Sequence, residues 1–128
     1  MPNSVLVLDT DIVIHLLKKQ PEIMARFLAL KEAQVRFLIS PIVVAEIYAG
    51  AFEHEHKDIE AFFDLCQRIE IDSKTGRTAG HYAYCFRKAF TGISMEDFLI
   101  AATATAHACA LWTGNRKHYP MPEVRFFE

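Results

Sequence analysis

The stretch "VLVLDTDIVIHLL", residues 5–17, changes its periodicity half-way along. Residues 4–9, "SVLVLD", form a short, continuous apolar run rich in β-branched residues, as expected of a strand buried on both faces. From Asp11 onward Ile12, His15 and Leu16 fall at helical spacing instead. A doubly buried strand belongs in a parallel sheet covered by helices, so this stretch reads as the opening of a βα unit. At the switch sit Asp9 and Asp11, where a buried strand has no use for charge.

The rest of the chain repeats the pattern. Pro21 opens a helical stretch, "PEIMARFLALKEA", and "VRFLIS", residues 35–40, is a second strand. Ser40 and Pro41 then give an N-cap and first-turn signal. The helix they open runs through "IVVAEIYAGAF" and is expected to continue into a stripe at Ile59, Phe62, Phe63 and Cys66. "RIEID", residues 68–72, is a third strand, and "SKTGRTAGHYAYCFRKAF", residues 73–90, another helix. Ser94 opens "MEDFLIAATATAHA", apolar on nearly all sides and so the expected central helix. "CALWT", residues 109–113, is a fourth strand, with "VRFF" near the end a candidate fifth. Strands alternating with helices predict an α/β fold, a central parallel sheet of four to five strands flanked by helices.

Length and composition bound the function. A chain of 128 residues fits a single domain over residues 1–128, with no linker or internal repeat. Its 52% apolar content and mean hydropathy of +0.10 are high for a small domain, which suggests that some surface meets another chain. The N-terminus has no signal-peptide pattern, and "FLIAATATAHACALW" falls short of a membrane span, so the expected location is the cytoplasm. Cys66, Cys85 and Cys109 are odd in number, far apart and in apolar surroundings, which suits reduced core thiols. A zinc site at His81 and Cys85, or at His107 and Cys109, is a weaker alternative because no paired-Cys spacing accompanies them. With a net charge of −2 the chain does not advertise a polyanion partner overall. Local basic clusters remain at Lys18 and Lys19 and at Arg116, Lys117 and His118, and for each taken alone a solvated surface is the favoured explanation over phosphate contact.

The acids carry the chemistry. In a parallel sheet the binding crevice lies at the carboxyl ends of the strands, where the following helices also begin. Asp9 ends the first strand, Glu46 lies in the helix after the second, Asp97 is in the first turn of the central helix, and Asn115 sits just beyond "CALWT". All four are expected at one edge of the sheet. Each acid also has a local explanation. Asp9 or Asp11 can cap a helix, and "SMED", residues 94–97, is a capping box in which Asp97 is shorter than the favoured Glu. Glu46 shares a helix face with Val43, Ile47 and Gly50 and is therefore expected to project from the core-facing stripe, with no basic residue three or four positions away. Converging carboxylates repel unless a cation sits among them. Mg2+ or Mn2+ takes oxygen ligands, keeps several waters, and can lower the pKa of a water and hold it in line with a phosphodiester.

"VLDTDIVIHLL", "ISPIVVAEIYAG" and "MEDFLIAATATAHACALWTGNRKHY", in that order and over nearly the whole chain, resemble the PIN-domain ribonucleases, most closely the VapC toxins of prokaryotic toxin–antitoxin pairs. The resemblance implies a PIN-like three-layer fold. It implies a Mg2+- or Mn2+-dependent endoribonuclease with RNA as substrate, a homodimer, and inhibition by a cognate antitoxin. Asp9, Glu46 and Asp97 match the family's first three acids, and Thr113 to Asn115 match its "T-x-D/N" ending, with Thr113 orienting acids or water. Many relatives carry a fourth aspartate where this chain has Asn115, an amide that brings no charge and leaves a second metal in doubt. Asp11 and Asn115 are the further candidate ligands. Arg116 and Lys117, beside the site, are candidate contacts to the RNA backbone. The helices after Pro21 and around residues 52–63 are candidate grooves for a partner segment.

Two alternatives stand beside this reading. "VLDTDIV" also satisfies the D-x-D-x-V pattern of haloacid-dehalogenase-type phosphatases, and Ser40 can pass as their second motif, but "ALWTGN" offers no acid pair at the end of a late strand. A non-catalytic PIN-like binding module is the other, and Asn115 is the residue that keeps it open.

Overall fold

The computed structural model describes residues 4–128. Four strands, β1 (Val5–Leu8), β2 (Arg36–Ile39), β3 (Gln67–Arg68) and β4 (Ala110–Trp112), form one parallel sheet in the order β3-β2-β1-β4. The helices are α1 (Thr10–Leu17), α2 (Pro21–Glu32), α3 (Pro41–Ala49), α4 (His56–Phe63), α5 (Ser73–Phe86) and α6 (Met95–Ala106). The expected α/β layering is thus what the chain adopts, with β1 central and Leu6, Val7 and Leu8 wholly buried.

α6 packs against α5 and β1 through Phe98, Ile100, Ala101, Ala102 and Ala104, all buried, the small residues letting the helix approach closely. On α2 and β2, Phe27 stacks on Phe37 with ring centroids 4.5 Å apart. Ser40 caps α3 by accepting from Val43 N–H, with Pro41 in the first turn, as its sequence signal predicts.

Four boundaries differ from expectation. α3 stops at Ala49, and Gly50 and Ala51 close it with tight bonds back to Ile47 and Tyr48. The stripe at Ile59, Phe62 and Phe63 therefore lies on a separate helix, reached through a 3-10 turn at Glu53–Glu55, whose new axis brings the stripe to the core. β3 covers two residues rather than five, because the chain leaves the sheet after Ile69 to let Asp72 cap α5 by accepting from Thr75 N–H. α5 ends at Phe86 rather than 90, and Gly92, with φ of 88°, turns the chain towards the cap at Ser94. "VRFF" makes a single parallel bridge, Leu111 with Phe126, not a fifth strand. Cys85 is exposed, so it is not the core thiol expected, while Cys66 and Cys109 are partly buried.

The registers place the site. Leu8 lies opposite Trp112, so Asp9 emerges beside Thr113, and its N–H bonds the Trp112 carbonyl at 3.0 Å. Val7 lies opposite Leu38, so Ser40 and the start of α3 open at the same edge.

Candidate active site

Asp9 is both the end of β1 and the N-cap of α1. It is 6% exposed, and its Oδ1 accepts from Thr10 N–H at 2.8 Å. Its Oδ2 accepts from the Thr113 hydroxyl at 2.7 Å and the Tyr119 hydroxyl at 2.9 Å. Thr113 has only one proton to give. Because its oxygen already accepts from Asn115 N–H at 2.9 Å, that proton is committed to Asp9. Burial, the largest influence, pushes the Asp9 carboxyl above the ordinary carboxylate range, and the charge of Asp11 pushes the same way. The hydrogen bonds from Thr113, Tyr119 and Thr10 pull it back.

Asp11 points across the edge to the loop after β4. Its Oδ2 accepts from Gly114 N–H at 2.8 Å and its Oδ1 from Ile12 N–H at 2.9 Å. A Cβ on Gly114 would stand 2.7 Å from Asp11 Oδ2, so only glycine allows this approach. Asp97 lies at the third position of α6 in a complete capping box. Its Oδ2 accepts from Ser94 N–H at 3.1 Å, so the shorter aspartate does reach back, and the same oxygen is 3.2 Å from His118 Nδ1. His118 Nδ1 is also 3.0 Å from Asn115 Nδ2, so it either accepts from the amide or donates to Asp97.

Glu46 corrects one expectation. It is exposed, because α3 buries Val43 and Ile47 and carries Glu46 at the margin of that face rather than within it. It still reaches the edge, where its Oε1 accepts from the Thr10 hydroxyl at 2.6 Å. Arg116 is committed elsewhere: its guanidinium donates to the Phe127 carbonyl at 3.1 Å, pairs with Glu128 at 3.9 Å and lies over the Phe126 ring. Lys117 is exposed.

Three site residues carry no sequence signal of their own. Thr10 links Asp9 to Glu46, Gly114 admits Asp11, and Tyr119, 2% exposed, places its hydroxyl among the acids. Burial first, and then the charges of Asp9, Asp97 and Asp11, push the Tyr119 hydroxyl far above its ordinary value, so it stays protonated and acts only as a neutral hydrogen-bonding group.

No Lys or Arg pairs with Asp9, Asp11, Glu46 or Asp97 among the described residues. Nor do three His, Cys, Asp or Glu side chains there gather tightly enough to cage an ion. The donors are hard oxygens at one sheet edge, where His118 is the one basic side chain paired with an acid among the described residues. Such a set fits a cation that uses one or two carboxylates and keeps its waters, as Mg2+ does, and not one needing a closed protein cage. His81 and Cys85 sit 3.6 Å apart, Sγ to Nε2, with no third side chain to complete a zinc site among the described residues.

The family model described as "PIN domain" matches residues 6–124. Ribonuclease VapC19 of Mycobacterium tuberculosis is 31% identical over 115 residues, covering 90% of this chain and 92% of that protein. Ribonuclease VapC2 of Haemophilus influenzae is 30% identical over 119 residues, covering 88% of each. In fold, the chain is similar to a chain in the crystal structure of VapBC2 from Rickettsia felis bound to a promoter DNA fragment. There the TM-score is 0.83 at 23% identity, over 96% of this chain and 97% of that one.

Proposed function

This chain belongs to the PIN domain family, among the VapC ribonucleases, and on that premise we propose that it is a Mg2+- or Mn2+-dependent endoribonuclease and the toxin of a toxin–antitoxin pair. The observation that carries the proposal is the set of acids at one sheet edge with no Lys or Arg partner among the described residues. An RNA phosphate cannot approach such a centre against its charge, so a cation requirement follows from electrostatics. Asp9, Glu46 and Asp97 are the acids proposed for the ion, one or two of which would bind it directly, with Asp11 and Asn115 at its margin. When bound, the ion supplies Lewis-acid stabilisation of the charge that builds on the phosphate.

The chain's own groups do the rest. Thr113, Tyr119 and Thr10 fix the Asp9 carboxylate in one orientation, and the cap at Ser94 fixes Asp97. The backbone N–H of Asn115 donates to the Thr113 oxygen, a bond that does not depend on the Asn115 side chain. Lys117, which is exposed, is the proposed contact to the RNA backbone, whereas Arg116 would first have to release Phe127 and Glu128.

An antitoxin segment is the partner of this reading, as the relatives of VapBC type suggest. A groove between α1, α3 and α4, lined by Ile14, Leu17, Ile47, Ala51 and Ile59 with Lys18, Glu55 and Asp58, fits an amphipathic segment. Glu46 lines the same groove and bonds Thr10, so an occupant there reaches the acid cluster directly. Large exposed side chains elsewhere, Tyr84 at 87% and Leu28 at 58%, give a homodimer apolar surface to use. No helix among the described residues is long and apolar enough to cross a membrane, and the cytoplasm is the proposed location.

The test is cleavage of total cellular RNA by the purified chain with Mg2+ or Mn2+, read by mapping new 5′ ends. Discrete ends that vanish with EDTA and in Asp9→Asn support the nuclease and reveal its RNA. Absence of cleavage by folded, antitoxin-free protein that also binds no Mn2+ overturns it in favour of a binding module.

A further inference from the structure

Tyr119 lies outside the acids and the "T-x-N" ending, yet it is among the most buried polar side chains of the site, and among the described residues its hydroxyl has one partner, Asp9 Oδ2. Thr113 donates to the same oxygen. A carboxylate oxygen has two lone pairs in its plane, so these two donors saturate Oδ2. Oδ1 accepts one bond, from Thr10 N–H, and keeps one lone pair free. Rotating the carboxylate would break all three bonds at once.

We infer that Tyr119 is a positioning residue which, with Thr113, leaves Asp9 a single free oxygen position and thereby tunes the site to Mg2+ or Mn2+ and against Ca2+. The inference rests on the reading of the acids as a cation site. Its chemistry is the difference between the ions: Mg2+ demands a compact octahedron and is content with one oxygen per carboxylate. Ca2+ has longer bonds and six to eight ligands, commonly with a carboxylate giving both oxygens. Asp9, as held here, cannot give both.

The test is calorimetric titration of Mg2+ and of Ca2+ into the purified chain, into Tyr119→Phe and into Thr113→Val. Each variant removes one donor from Oδ2 and keeps nearly the side chain's volume, Thr113→Val also taking from Asn115 N–H its acceptor. The ratio of the Ca2+ to the Mg2+ dissociation constant is expected to fall about fivefold or more in both variants, as Oδ2 becomes available for two-oxygen binding. A general loosening of the site would weaken both ions alike and leave the ratio unchanged. That result, in variants that melt cooperatively, overturns the inference while leaving the cation site standing. Failure of the unaltered chain to bind either ion overturns the cation site and the inference together. If Tyr119→Phe does not fold, the ratio in Thr113→Val decides.

Discussion

Replacing Gly114 by alanine should change the sign of its effect with the residue at position 11. A Cβ on Gly114 meets Asp11 Oδ2 at 2.7 Å, whereas ordinary contact begins at 3.4 Å, so the carboxylate must withdraw by about 0.7 Å. That displacement carries the 2.8 Å bond from Gly114 N–H beyond normal hydrogen-bond length. A hydrogen bond to a charged group contributes about 1.5 kcal/mol, and partial exposure of this one argues for the lower end of the range. Against this, Gly114 does not occupy the left-handed region, so alanine there restricts the unfolded chain and returns about 0.5 kcal/mol. Gly114→Ala should therefore destabilise the chain by about 1 kcal/mol. In an Asp11→Ala background the clash and the bond are both absent, and the same change should stabilise by about 0.5 kcal/mol. Urea unfolding of the four proteins of the cycle measures the coupling, expected at about 1.5 kcal/mol. Equal effects in both backgrounds would refute the claim that glycine is required here because of Asp11.

Because the Asp9 carboxyl is raised by burial, the folded state holds its proton more tightly than the unfolded chain does. The resulting stability is fully present below the unfolded value of 3.8 and is lost as pH rises through the folded value, so the ionised carboxylate burdens the fold at neutral pH. Asp9→Asn should thus gain stability relative to the unaltered chain on going from pH 3 to pH 7 without divalent ions, as urea melts at the two pH values will show. Mn2+ at a hundred times its dissociation constant should stabilise the unaltered chain by about 2.7 kcal/mol and Asp9→Asn by far less, and EDTA should reverse the gain. Burial pushes the Cys66 thiol up to about 12 and raises that of Cys109, so brief iodoacetamide treatment at pH 8 should label exposed Cys85 first, as peptide mass spectrometry can establish. Phe37→Ala, which empties a position 2% exposed and stacked on Phe27, should cost about 3–5 kcal/mol in the same unfolding assay.

The parts of the fold that were legible are those in which local pattern and burial agree. β1, β2 and β4 are apolar runs with helix-starting residues behind them, and Ser40 and Ser94 cap where their signals place them. Errors arose where a periodic stripe outlived its helix. The spacing of Ile59, Phe62 and Phe63 says nothing about whether they share an axis with Val43, and Gly50 alone marks the break. The convergence of Asp9, Asp97 and Asn115 followed from parallel topology, since strand ends in such a sheet share an edge. Glu46 came to the same edge for another reason than burial: a hydrogen bond from Thr10 draws it there. Tyr119 and Gly114 were invisible because their roles are distances to residues more than a hundred positions away, in a loop whose composition reads as ordinary surface.

Those long separations bear on the chain's synthesis. The two hydroxyls that hold Asp9 arrive 104 and 110 residues after it. At about 5–20 residues per second, translation leaves Asp9 without them for about 5–20 s. Throughout that interval β1 has no β4 beside it, and Thr113, Asn115 and Tyr119 are not yet available. A nascent chain on the ribosome, surrounded by RNA at close range, therefore carries an incomplete centre. The centre can assemble only once the segment through Tyr119 has left the exit tunnel.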